Sequence, residues 1–158
     1  MKPARSFRSL GLSLAALSIS VMASSAALAE HAYSAQEQRN KAIVLDFYEK
    51  GLNQKDCAAA SEYLGAYVQH NPTAEDGPAG FCKFIDFLKS NYPQSHSQIT
   101  QTFVDGDFVI LRVHAVREPG TRGNAIVDIF RLKDGKIEEH WDSVQPVPET
   151  SKNSNGMF

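Results

Sequence analysis

From Ser34 onward, apolar positions recur first with a helical period and then with a strand period. Ser34-Ala35-Gln36-Glu37 has the form of a capping box, in which the serine hydroxyl and the glutamate carboxylate satisfy each other's backbone amides at a helix start. Val44, Phe47, Tyr48 and Gly51 follow at helical spacing, and Gly51 suits a left-handed C-terminal cap. Asn53 is read as the cap of a second helix running through Cys57, Ala60 and Leu64 to a stop near Gly65. Residues 66–70 read as extended, and Asn71-Pro72 opens a loop rich in Gly, Pro and acidic residues. A third helix places Phe81, Phe84, Ile85 and Leu88 on one face and ends before Pro93, because the residue preceding a proline disfavours helical geometry.

Beyond Pro93 the period shortens to two. Residues 97–104, 107–118, 124–132 and 136–144 read as strands, separated by hairpin signals at Asp105-Gly106, Pro119-Gly120 and Asp134-Gly135. Helices first and an antiparallel meander afterwards predict an α+β domain with three N-terminal helices packed on one face of a curved sheet. The Ser-, Asn- and Lys-rich segment 147–158 is expected to fray as a flexible tail.

The N-terminal segment belongs to a different category. Lys2, Arg5 and Arg8 precede an apolar run from Leu10 to Met22 and then Ala27-Leu28-Ala29, the layout of a secretory signal with an A-x-A cleavage site. The run is shorter than the roughly 20 residues a membrane-spanning helix requires. The expectation is therefore a signal peptide over 1–29, a domain over 30–146, no stable membrane insertion, and a secreted address, for which a bacterial periplasm is the natural compartment. Removal of the three basic residues takes the formal net charge from −2 to −5. With no basic run elsewhere, nucleic acid is excluded as a partner on electrostatic grounds. Cys57 and Cys82 would lie in an oxidising compartment, where a disulfide can persist; spacing alone does not decide it, and Cys57 on the apolar stripe of its helix reads first as a small buried hydrophobe.

Candidate chemistry is sparse. Asp128 lies between Val127 and Ile129 on an otherwise apolar strand and shares a face with Ile126 and Phe130, so it points to a carboxylate inside the domain. The alternative is a pairing with Arg112 or Arg131 at the sheet surface. His114 is either a partner for that acid or a structural histidine. His70, where the chain enters the loop, either lines a pocket mouth or anchors the Asn71-Pro72 turn. Trp141, the only tryptophan, shares a face with Ile137 and Glu139 by simple alternation, opposite His140 and Asp142, and serves either as a cavity wall or as core packing. His70, His114, His140, Asp128 and Asp142 show no metal-ligand spacing, and no G-x-S-x-G elbow is present, so neither a metal nor a serine nucleophile is expected.

The segment Tyr67-Val68-Gln69-His70-Asn71-Pro72, His114, and the run from Val127-Asp128-Ile129-Phe130-Arg131 to Glu139-His140-Trp141-Asp142 together resemble the SnoaL-like family of the NTF2-like superfamily. The resemblance covers residues 36–145. It implies a cone-shaped fold around one cofactor-free pocket and acid–base chemistry next to a carbonyl: aldol cyclisation, isomerisation or dehydration. It further implies that Asp128 is the acid/base residue with His114 beside it, that Trp141 lies in or beside the cavity, and that the protein is a homodimer; in the leading reading His70 joins His114 in hydrogen-bonding the developing enolate, and Tyr48, Tyr67, Phe130 and Trp141 shape the substrate cavity. The substrate expected is a small hydrophobic carbonyl compound. Two other classes stay open: a periplasmic binding module that holds such a ligand without turnover, and an interaction protein that uses the open sheet face.

Overall fold

The computed structural model describes residues 32–158. The expected signal peptide and its cleavage site at Ala29 lie outside these residues. Helix α1 spans Ala35–Tyr48, and the capping box is formed as predicted: the Ser34 side chain accepts from the Glu37 backbone N–H, and the Glu37 carboxylate accepts from that of Ser34 at 2.7 Å. The helix does not stop at Gly51. It widens into a π-helical turn over Glu49–Asn53, in which Gly51 is buried against Phe81. A Cβ on Gly51 would come within 2.7 Å of the Phe81 ring, so the glycine is required by close packing rather than by a left-handed cap.

Helix α2 is a short Cys57–Ser61 segment capped by Asp56, whose carboxylate accepts from the Ala59 backbone N–H at 3.0 Å. Asn53, expected to cap it, instead ties the helical layer to the sheet. Its amide donates to the Ser97 carbonyl at 3.1 Å and accepts from the Ser97 N–H at 2.8 Å. Strand β1 follows at Leu64–Gln69, then helix α3 at Gly77–Asn91 and strands β2 at His96–Asp105, β3 at Phe108–Val116, β4 at Asn124–Lys133 and β5 at Lys136–Pro146.

The sheet order is β1-β5-β4-β3-β2. Strands β2 to β5 form the predicted antiparallel meander, and β1 adds to the edge of β5 in parallel. Val109, Leu111 and Val113 of β3, Phe130 and Leu132 of β4, and Ile137 of β5 point to one face and are at most 1 % exposed. Val44 and Phe47 of α1 and Phe81, Ile85 and Leu88 of α3 pack with them in one core. Burial of each such side chain stabilises the fold by about 1.5–3 kcal/mol. The α+β arrangement of helices on a curved, mostly antiparallel sheet is thus the expected one.

Cys57 and Cys82 form a disulfide that fastens α2 to α3, with Cα atoms 5.3 Å apart. Two contacts join the end of the tail to the sheet. The Arg112 guanidinium donates to the Met157 carbonyl at 2.6 Å, and the Phe158 ring lies 4.4 Å from that of His114. Among the described residues no helix is long and apolar enough to cross a membrane.

Candidate functional site

Two irregularities in the sheet decide which side chains face the helices. Strand β5 pairs Arg131 with Glu139 but Leu132 with Ile137, so one extra residue, Glu138, is accommodated in a bulge. The bulge lets Ile137 and His140 point to the same face although three positions separate them. In β1 the register with β5 slips between Leu64 and Val68, and Tyr67 takes a left-handed backbone conformation with φ of 51°. That costly geometry for an aromatic residue turns the Tyr67 ring inward, where it is 3 % exposed.

The result is a cavity of about 460 Å³ between the sheet and α3. Phe47, Leu52, Phe81, Phe84, Leu88 and Phe130 give it an apolar wall, and its polar groups include Tyr48, Gln69, Asn71, Asp128, His140 and Asp142. The cation on its lining, Arg117, is exposed, with its guanidinium 5.6 Å above the Tyr92 ring.

Asp128 and His140, only 4 % and 7 % exposed, face each other across β4 and β5, with Nε2 of the histidine 3.0 Å from Oδ1 of the aspartate. The second carboxylate oxygen accepts the Tyr48 phenol proton at 3.1 Å. Burial, followed by the charge of Asp128, holds the Tyr48 phenol well above its ordinary pKa, so it serves as a donor. Tyr67 is pushed up for the same two reasons. The imidazole of His140 lies between Phe130 and Tyr67, with ring centroids 4.7 Å and 6.0 Å away.

The proton count of this pair follows from its neighbours. Gln69 Oε1 accepts the Asn71 backbone N–H at 2.9 Å, which fixes the amide so that an acceptor faces His140 Nδ1 at 3.0 Å. The network therefore assigns a proton to Nδ1. A further proton must lie between Nε2 and Oδ1, since a bare imidazole nitrogen and a bare carboxylate oxygen repel at 3.0 Å. The pair thus holds one shared proton at the cavity wall.

Asp142 is registered directly opposite Asp128 on the neighbouring strand. Both of its oxygens accept from Asn71 Nδ2 at 2.8 Å. The orientation of the Asn71 amide is set by Thr73, whose backbone N–H and hydroxyl both donate to Asn71 Oδ1, at 2.8 and 2.7 Å. Asp128, His140 and Asp142 offer ligand atoms within 4.8 Å of one another. Two carboxylates and an imidazole are the donor set that could hold a divalent cation. In the geometry described, these groups are occupied with each other and with Tyr48, Gln69 and Asn71. No spacing rule along the sequence signals a cluster assembled across two strands.

The family model of the SnoaL-like domain matches residues 44–140. The chain belongs to this family. Solved structures agree in fold. TsrD from Streptomyces laurentii is 20 % identical with a TM-score of 0.59, over 70 % of this chain and 91 % of that one. A protein provisionally named a SnoaL-like polyketide cyclase, from Jannaschia sp. CCS1, is 19 % identical with a TM-score of 0.60, over 72 % and 90 %. One provisionally named a ketosteroid isomerase, from Kribbella flavida DSM 17836, is 20 % identical with a TM-score of 0.58, over 77 % and 86 %. An NTF2-like protein from Cytophaga hutchinsonii is similar to the same degree, which makes the fold of this SnoaL-like domain NTF2-like. A comparison with curated proteins gives no match.

Of the residues expected at the site of this SnoaL-like domain, Asp128, Tyr48, Tyr67 and Phe130 meet at the cavity. Neither arginine considered as a partner for Asp128 reaches it: Arg112 donates to Gln101 and to the Met157 carbonyl, and Arg131 pairs with Glu139. His114 is not beside Asp128. It registers with Ala125 on the opposite face of the sheet, where Nε2 contacts the Arg122 carbonyl at 2.7 Å. Alternation along β3 carries this information, because Val109, Leu111 and Val113 take the inner face and leave the outer one to Arg112 and His114. His70 and Trp141 also lie outside the cavity, stacked on each other with centroids 4.5 Å apart. His70 Nε2 is 3.2 Å from Glu139, and hydrogen bonds from Arg131 and then His70 hold that carboxyl below its ordinary pKa. Simple alternation put Trp141 on the face of Ile137; the bulge at Glu138 reverses that assignment.

Sequence reasoning missed Gln69, Asn71, His140 and Asp142 as site residues. The last two turn inward only because the Glu138 bulge registers Phe130 with His140 and Asp128 with Asp142; an unbulged hairpin from Asp134-Gly135 would set Trp141 opposite Asp128.

Proposed function

We propose that this SnoaL-like domain is an enzyme that uses the Asp128–His140 pair for cofactor-free acid–base chemistry next to a carbonyl, on a small hydrophobic substrate. The observation that carries the reading is the 3.0 Å contact between two buried groups, His140 Nε2 and Asp128 Oδ1, at the wall of a largely apolar cavity. A proton held there can be passed to a substrate oxygen or taken back, which is the task of a general acid–base. Tyr48 keeps the carboxylate oriented, and the Phe130 and Tyr67 rings fix the imidazole plane. The burial of the pair strengthens its hydrogen bond to charge developing on a bound carbonyl oxygen. Names of structural relatives that include a polyketide cyclase and a ketosteroid isomerase support this class of chemistry. The signal-like N-terminus supports a secreted address, where the carbonyl compound would be encountered.

The test is deuterium exchange at the α-carbon of 2-tetralone in D₂O, followed by proton NMR. The wild type is expected to accelerate exchange and the Asp128→Asn variant to lose about 100-fold or more of that acceleration, the usual contribution of a positioned proton donor or acceptor. A fully active variant would contradict the reading. A protein that binds the ketone without exchanging it would be a binding module instead.

A further inference from the structure

We infer that Asp142 is a second catalytic residue, the base that removes the carbon-bound proton while the Asp128–His140 pair supplies the acid; this rests on the acid–base reading above. The two groups differ in what they carry. The buried pair holds one proton between Nε2 and Oδ1. Asp142 holds none, because both of its oxygens accept from the Asn71 amide, whose own oxygen is committed to Thr73. The same short segment of chain thus sets both states: Gln69 fixes the tautomer of His140, and Asn71 fixes Asp142 as an acceptor.

Their positions also match. Asp142 is half-buried on the cavity lining, and one of its oxygens lies within 4.8 Å of the ligand atoms of Asp128 and His140. A loaded acid and an empty base therefore stand on one wall and face one side of a bound molecule. In enolisation the C–H bond at the α-carbon breaks, and its proton goes to an Asp142 oxygen. The released electron pair forms the C=C bond of the enol, and the carbonyl oxygen takes the proton of the pair. Reversal, or proton return at a different carbon, restores both groups and needs no co-reactant. Asp142 lies just beyond the matched span 44–140, so this role is assigned by the geometry of this chain alone.

The experiment measures exchange of 2-tetralone alongside binding of 2-naphthol, a flat mimic of the enol whose hydroxyl faces the acid. Asp142→Asn is expected to slow exchange about 100-fold while changing naphthol affinity less than about threefold. Asn71→Ala, which removes the Nδ2 donor from both Asp142 oxygens, is expected to lower kcat for exchange about tenfold with little change in KM, and it carries the test if Asp142→Asn does not fold. Exchange by Asp142→Asn at the wild-type rate would overturn the assignment while leaving the Asp128–His140 reading intact. So would a loss of exchange matched by an equal loss of naphthol binding. If the wild type itself exchanges nothing, the acid–base reading fails and the division of labour with it.

Discussion

His140 meets Asp128 at 3.0 Å across two neighbouring strands, and both side chains are buried. Neither group would be stable there alone. A lone carboxylate or imidazolium in an apolar interior costs several kcal/mol, whereas a pair that shares one proton carries no net charge. The Tyr48 phenol and the Gln69 amide complete the hydrogen bonding at either end.

Replacing Tyr48 by Phe leaves a buried carboxylate oxygen without its donor and is expected to destabilise the fold by about 1–3 kcal/mol in denaturant unfolding. The variant also changes the alkaline behaviour. The folded state holds the Tyr48 phenol protonated above its ordinary range. Its contribution is therefore complete below the unfolded phenol value of about 10 and is lost as pH rises beyond it. The wild type should lose stability more steeply than Tyr48→Phe between about pH 10 and 11.5. Parallel curves would show that the phenol titrates as it does in the unfolded chain.

Trp141 is expected to act on stability and not on the ligand. Its ring stacks on His70 outside the cavity. Trp141→Ala should cost about 1–2 kcal/mol in thermal unfolding and leave the affinity for 2-naphthol unchanged. Weakened binding would place the ring in contact with the ligand.

The disulfide should be a stabilising clasp for the cavity wall, since Phe81 and Phe84 flank Cys82 on α3. Closing a loop between residues 25 apart is worth roughly 3 kcal/mol through the unfolded chain. Reduction, or the Cys57→Ser and Cys82→Ser double substitution, is expected to lower the melting temperature by several degrees. An unchanged melting temperature would show that the bridge does not form in solution.

The parts of the fold that were legible in the sequence are those set by local rules. The Ser34–Glu37 capping box, the apolar face of α3, the stop before Pro93 and the three hairpin turns each depend on a few neighbouring residues, and all are found. Asp128 was legible because a carboxylate amid Val127, Ile129 and Phe130 violates the apolar pattern. Its partner was not, because the pairing depends on cross-strand register. The Glu138 bulge shifts the phase of β5 by one residue, and a strict period of two then assigns Trp141 to the wrong face. Tyr67 raises a similar difficulty, since its inward ring depends on a left-handed residue that no local signal marks. His114 illustrates the opposite case: the alternation of Val109, Leu111 and Val113 already turned it outward, and the resemblance to the family pointed elsewhere.

The most direct test of the account sets two histidines against each other in one assay. Deuterium exchange of 2-tetralone should fall about 100-fold or more in His140→Gln and stay at the wild-type rate in His114→Gln. Full activity in His140→Gln together with loss of exchange in His114→Gln would contradict the proposed site.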